Sequence, residues 1–199
     1  MPYTHQHKRK SRQRILESAA RCFLQQGYER TGINEIMREA GMTHGAFYAH
    51  FSSKSELYGK AITYAAVNGR FNTYQQSGTN GAEWFHGVLE GYLSREHLDA
   101  EETPCPLAFL VTDIVSRDPE VRHAYTRIYK RMNRVIERHG EEGSDKNIDD
   151  IYAVTAMMIG GVALSRAVDD PRLSDRVLAS CRQAAARLLN EGSDENPGE

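Results

Sequence analysis

Apolar residues recur at helical spacing along almost the whole chain, and few stretches alternate with period two. Ile15, Ala19, Cys22 and Phe23 share one face of a helix predicted over about residues 9–26, with Gly27 placed to end it. Ile33, Ile36, Met37 and Ala40 point inward from a second helix, which Thr31 is placed to cap and Gly41 breaks. Thr43 stands at the cap of a short third helix that carries Phe47, with Phe51 at its end. The run SKSE at 53–56 has the form of a capping box, with Ser53 as N-cap and Glu56 reaching back. It opens a long helix predicted over about 54–75.

The rest of the chain reads the same way. Trp84, Phe85, Val88, Leu89 and Tyr92 mark a helix to about His97. The run DAEETPCP is a linker, because Pro104 and Pro106 do not fit inside a helix. Pro106 suits the first turn of a helix ending near Arg117, and Asp118-Pro119 and Asp170-Pro171 read as two further capped starts. A weakly charged helix is expected over about 148–168 and a last one over about 172–190, with loops at 78–81 and 140–146. The expectation is therefore an all-α chain of about nine helices. It divides into a three-helix domain at 1–53, a helical bundle at 54–191 and a disordered tail at 192–199.

Charge sharpens this division. The net charge of -2 hides ten Lys/Arg against five Asp/Glu in residues 1–60, and fifteen against twenty-two in the remainder. A basic end beside an acidic body suits a polyanionic partner at the basic end only. Three widely spaced cysteines, Cys22, Cys105 and Cys181, give neither a disulfide framework nor a zinc motif, which fits a reducing cytoplasm. No run of 18 apolar residues and no apolar stretch after the basic N-terminus is present, so neither a membrane span nor a secretory signal is expected. No nucleophile-base spacing, metal cluster or phosphate loop suggests an enzyme, a metal or a cofactor.

Helix, glycine turn and short capped helix form a helix-turn-helix pattern, whose second helix enters the major groove. In GMTHGAFYAHF (41–51), the Thr43 hydroxyl and first-turn amides suit a phosphate, and His44 is free to face bases. Gly45 and Ala46 allow close approach, Phe47 and Phe51 anchor the helix, Tyr48 and His50 keep polar tips outward, and Lys54 adds charge nearby. Lys8, Arg9 and Lys10 read equally as a minor-groove arm or a solvated terminus.

On these residues the segment from about Arg12 to Ile62, ILESAARCFLQQGYERTGINEIMREAGMTHGAFYAHFSSKSELYGKAI, resembles the N-terminal domain of the TetR/AcrR family of bacterial transcriptional regulators. The resemblance implies phosphate contacts from Thr31, Thr43, Tyr48, His50 and Lys54, and base reading by His44, Gly45 and Tyr48. It implies a homodimer on a near-palindromic double-stranded operator, and a C-terminal ligand-binding and dimerisation domain for a small-molecule effector. His44 occupies a variable position, so no operator sequence carries over.

For the body, the residues themselves offer candidates. Tyr64, Phe71, Trp84, Phe85, Tyr92, Phe109, Tyr125, Tyr152, Met157 and Met158 are spread over its helices as pocket walls. Asp113, among apolar neighbours, serves either a cationic or hydroxylated ligand or an arginine. Gly160-Gly161 inside a helix implies close packing, placing Met158, Gly161, Val177, Cys181, Ala184 and Leu188 in a four-helix dimer interface, or in an intrachain core. Cys105, between two prolines at a helix start, is an alternative electrophile or redox sensor if the helix dipole favours its thiolate. A plain helical ligand carrier is the other alternative, and it leaves the basic first domain without a use.

Overall fold

The computed structural model describes residues 5–69, 71–72, 81–99, 104–139 and 147–191, and the side chains among them to Leu189 apart from the ends. Among the described residues there are ten α-helices, one 3-10 helix and no strand. In chain order they are α1 (His5–Arg30), α2 (Ile33–Glu39), the 3-10 helix (His44–Ala49), α3 (Lys54–Asn68) and α4 (Gly81–Tyr92). Then follow α5 (Arg95–Leu98), α6 (Pro106–Phe109), α7 (Val111–Ile114), α8 (Pro119–His139), α9 (Ile148–Ala167) and α10 (Pro171–Glu191). The all-α expectation holds. The loop at 140–146, the tail at 192–199 and most of the 78–81 and 99–106 connections lie outside the described residues.

The count exceeds nine because two expected helices are broken. The segment expected to run to His97 stops at Tyr92, since Ser94 is extended and its hydroxyl accepts from the His97 amide, starting α5 afresh. Likewise the segment opened by Pro106 divides at Leu110 into α6 and α7. The long coupling helix ends at Asn68 rather than near 75, where Gly69 turns extended. At 52–56 the cap is shifted by one residue on one side. Ser53 accepts from the Glu56 amide at 3.0 Å as expected, but Glu56 accepts from the amide and hydroxyl of Ser52 at 2.8 and 2.7 Å. Asp170 caps α10 through the amides of Arg172 and Leu173, whereas the Asp118 carboxylate turns away to accept from Ser55 on α3.

Buried apolar residues fall into two cores. The first gathers Ile15, Phe23, Ile36, Phe47, Phe51 and Leu57 from α1 to α3, together with Ile114, Val121 and Ala124 from α7 and α8. The second joins α4 to α6 and α8 to α10 through Trp84, Val88, Leu107, Ile136, Met158 and Leu178. Phe109, Tyr125 and Ile128 pack against both, so the cores meet along one apolar seam.

Helix α9 has the length and hydropathy of a membrane span, yet here it packs as a core helix. Its inner face holds Ile151, Val154, Met158 and Val162. Gly161 belongs to this inner face: a Cβ there would lie 3.0 Å from the Cys181 sulfur and 3.1 Å from Leu93. This corrects the assignment of Met158 and Gly161 to a dimer surface, because their close packing is made inside the chain, against α10 and Leu93. Val177, Cys181, Ala184 and Leu188 are half-buried on α10. The outward stripe of α9 is instead Tyr152, Ala156, Gly160 and Leu164, four residues apart and all exposed.

Candidate nucleic-acid interface

Gly27 and Gly41 shape the helix-turn-helix unit. Both take positive φ (77° and 66°), which other residues rarely adopt. Gly27 interrupts α1, and Gly41 turns the chain out of α2 under the Arg14 guanidinium, which donates to the Ala40 carbonyl. The 3-10 helix that follows is fixed by Phe47 and Phe51, both buried and stacked at 5.9 Å. Anchoring one face leaves the other to solvent. Thr43 sits at the N-cap position, but its hydroxyl makes no capping bond and is exposed. His44 and Gly45 are exposed, and nothing lies within 4 Å of the Cβ that Gly45 lacks. Tyr48 is 65% exposed, with its ring edge-on to His44 at 5.8 Å.

His7, Lys8 and Arg14 of α1 border a groove whose other wall is Gly41–Thr43, Ala46, Ala49 and His50. His50 is half-buried there, and its Nδ1 is buried without a hydrogen-bond partner. Burial, with the charges of Lys8 and Arg12 next, holds the imidazole below its ordinary pKa. At pH 7 it is a neutral ring with hydrogen-bonding capacity to spare, beside three cations.

Two of the sequence-predicted contacts are placed differently. Thr31 is fully buried and donates to the carbonyls of Cys22 and Gly27; the residue at the α2 N-cap is Gly32. Its side chain is a tie inside the fold, which corrects its assignment to the DNA backbone. The Lys54 ammonium lies 4.2 Å from the centre of the Tyr28 ring, and burial lowers its pKa. Arg117, from the body between α7 and α8, lies 4.4 Å from the same ring centre and pairs with Glu29 at 2.7 Å.

Tyr28 is thus the centre of a joint that sequence reasoning missed. Asp113 accepts from the Tyr58 hydroxyl and, at 3.2 Å, from the Tyr28 amide. Asp118 accepts from Ser55. The stretch 113–118 therefore grips both the end of α1 and the start of α3. Asp113 was a ligand candidate with an arginine partner as its alternative; its carboxylate is occupied by the reading unit instead. The only sequence signal for this joint was the aromatic residue directly after Gly27.

The remaining pocket candidates scatter. Tyr64 donates to Glu17, Trp84 stacks on His139 at 4.3 Å, Phe85 is core, and Phe109 lies under Arg166 at 3.6 Å. Tyr125 donates to the Leu107 carbonyl, and Tyr152 is 46% exposed on the outer face of α9. Tyr92 and Phe71 do line one cavity, between α3, α4 and α6 and beside Cys105. Burial raises the Cys105 thiol above its ordinary pKa, and α6 has only four residues to offer a dipole. Both work against the thiolate that the sensor reading needs.

An exposed recognition turn on a buried aromatic anchor, beside a basic groove, defines a helix-turn-helix DNA-binding protein. Comparison with known proteins agrees: residues 15–61 match the tetR family of bacterial regulatory proteins. The uncharacterized HTH-type transcriptional regulator YxaF of Bacillus subtilis is 46% identical over 161 residues, covering 78% of this chain and 84% of that one. A TetR transcriptional regulator from Chloroflexus aurantiacus superposes with a TM-score of 0.71 at 21% identity, over 94% of this chain and 97% of that one. The transcriptional regulator FadR of Bacillus subtilis, solved with stearoyl-CoA, has a TM-score of 0.58 at 16% identity, over 90% of this chain and 98% of that one. The chain belongs to the TetR family of transcriptional regulators.

Proposed function

We propose that this regulator is a dimeric repressor that leaves a near-palindromic operator when a small molecule enters its body. The observation that carries the reading is the outward face of the 3-10 helix, where Thr43, His44 and Tyr48 keep their polar groups free beside the α1 groove. In the proposed complex Thr43, Tyr48 and His50 hold phosphates, Lys54, seated on the Tyr28 ring, adds its charge beside them, and His44 and Gly45 meet base edges. Residues 1–53 form the reading domain and 54–191 the body. Two copies pair through the outer stripe of α9 and the half-buried apolar residues of α10, setting the two turns in successive major grooves.

Release follows from the joint at Tyr28. Helix α3 begins beside the DNA contacts and ends at the cavity wall, and segment 113–118 holds both the last turn of α1 and the first turn of α3. A ligand that shifts α3 needs a coupling of only about 1–3 kcal/mol to change operator occupancy. FadR's complex with stearoyl-CoA shows a protein of similar fold holding a ligand. The reading places the protein in the cytoplasm with DNA and includes no catalytic step. A footprint over the DNA flanking its own gene tests it. Protection of two half-sites one helical turn apart is the expected result, and uniform, sequence-independent protection would reject it.

A further inference from the structure

Two buried hydroxyls of the body, Tyr92 and Ser174, lack a hydrogen-bond partner, and of these Tyr92 lines a cavity. Tyr92 is 2% exposed, yet its hydroxyl has no nitrogen or oxygen partner and meets only the weakly bonding Cys105 thiol. A buried hydroxyl without a partner is costly, and native folds rarely keep one without a use. It lines the cavity formed by Ala65, Ala66 and Gly69 at the end of α3, Gly91 of α4 and Cys105 before α6. Phe71, His97 and Pro106 complete the lining, and the enclosed space, about 20 Å³, is wide enough for one water. An occupant larger than that enters only by moving the walls, which favours a small one of about one ring.

The charge state of the occupant follows from the walls. Among the described residues none carries a formal charge. The one titratable ring, His97, has Nδ1 at 2.6 Å from the Tyr92 carbonyl, while Nε2 accepts from the Cys105 amide at 3.3 Å. That arrangement fixes the proton on Nδ1 and keeps the ring neutral. A charged ligand would meet no counter-charge among these described walls, and they do not offset its desolvation cost. Beside Tyr92, the Cys105 thiol is a weak hydrogen-bonding group and stays protonated.

We infer that this cavity binds an uncharged, single-ring, mostly apolar molecule whose one polar group bonds the Tyr92 hydroxyl. This names the ligand class of the effector site proposed above and rests on that reading. Entry must widen the cavity, and the wall formed by α3 is continuous with the helix that starts at Lys54.

Three matched probes test it on the full chain: acetophenone (neutral, with a carbonyl acceptor), ethylbenzene (no polar group) and benzoate (charged). Acetophenone should bind, measured by calorimetry, ethylbenzene more weakly, and benzoate not at all. Tyr92→Phe should weaken acetophenone by about two- to tenfold, the weight of one neutral hydrogen bond, and leave ethylbenzene unchanged. Its melting temperature should change little, since the lost hydroxyl met only a weak thiol partner. Ala66→Leu, which fills the cavity, should abolish binding of both neutral probes. Equal binding of benzoate, an acetophenone affinity indifferent to Tyr92→Phe, or no binding by any probe (a cavity that holds only water) each overturns the inference. Operator binding is measured separately. A chain that protects its operator but ignores the probes refutes the ligand class alone, and one that binds probes but no operator refutes the repressor reading alone.

Discussion

At the 3-10 helix, Thr43, His44 and Tyr48 point outward with polar groups unpaired. Around Tyr28, Asp113 takes two donors, Arg117 takes Glu29, and Asp118 takes Ser55. The first region keeps its hydrogen-bonding capacity for a partner, while the second spends it on holding the reading unit to the body. A surface that must meet DNA gains nothing from internal satisfaction. A joint that must transmit a shift needs bonds strong enough to move together.

Mutations separate the two regions by size of effect. Phe47→Ala should be the most severe, costing about 3–5 kcal/mol of stability in urea unfolding, because the whole outward turn rests on that ring. A small loss there would mean that the anchor is not what orients the turn. Asp113→Asn should cost about 1.5–3 kcal/mol, the range for hydrogen bonds to a charged group, with the turn's own residues untouched. If stability held, the joint would be decorative.

His44→Ala should leave stability unchanged while weakening the preferred operator by about 1–3 kcal/mol and relaxing preference at one base pair, in binding selections. Lys54→Ala, by contrast, should weaken all sequences alike and lower the salt slope by about 1. Identical behaviour of the two variants would erase the distinction between reading and positioning. The smallest effect concerns pH. His50 has its pKa lowered in the fold by burial and by Lys8 and Arg12, so the neutral form is the one the fold favours. Its contribution is present above the unfolded value near 6.5 and is lost as pH falls through the lower folded value. Melting temperatures should drop more steeply below pH 6.5 for the parent than for His50→Gln.

The turn was legible in the sequence because it is local. Gly41, Thr43, Phe47 and Phe51 lie within eleven residues, and their spacing alone sorts anchor from contact. Gly27 as a break in α1 was legible for the same reason, since its positive φ is a property of one residue, although the helix runs on to Arg30 instead of ending there. The Tyr28 joint was hidden because Asp113 lies 85 residues from its backbone partner and 55 from Tyr58, distances that no periodicity encodes. Thr31 misled because a threonine before a helix suits a cap, while tertiary packing drew its hydroxyl inward to Cys22 and Gly27. Gly161 misled in the opposite sense. The pair Gly160-Gly161 correctly signalled close approach, but helical phase sends one glycine inward and the other out, and the inward one meets α10 of the same chain.

That inward glycine acts as a gauge. With only a hydrogen at position 161, α9 settles against the Cys181 sulfur, and the tilt of its outer stripe is fixed by that distance. In the proposed dimer the stripe decides how two subunits lean on each other, hence how far apart their turns stand along the duplex. The ruler that measures an operator would then be calibrated deep inside each subunit, at a position that touches neither DNA nor partner.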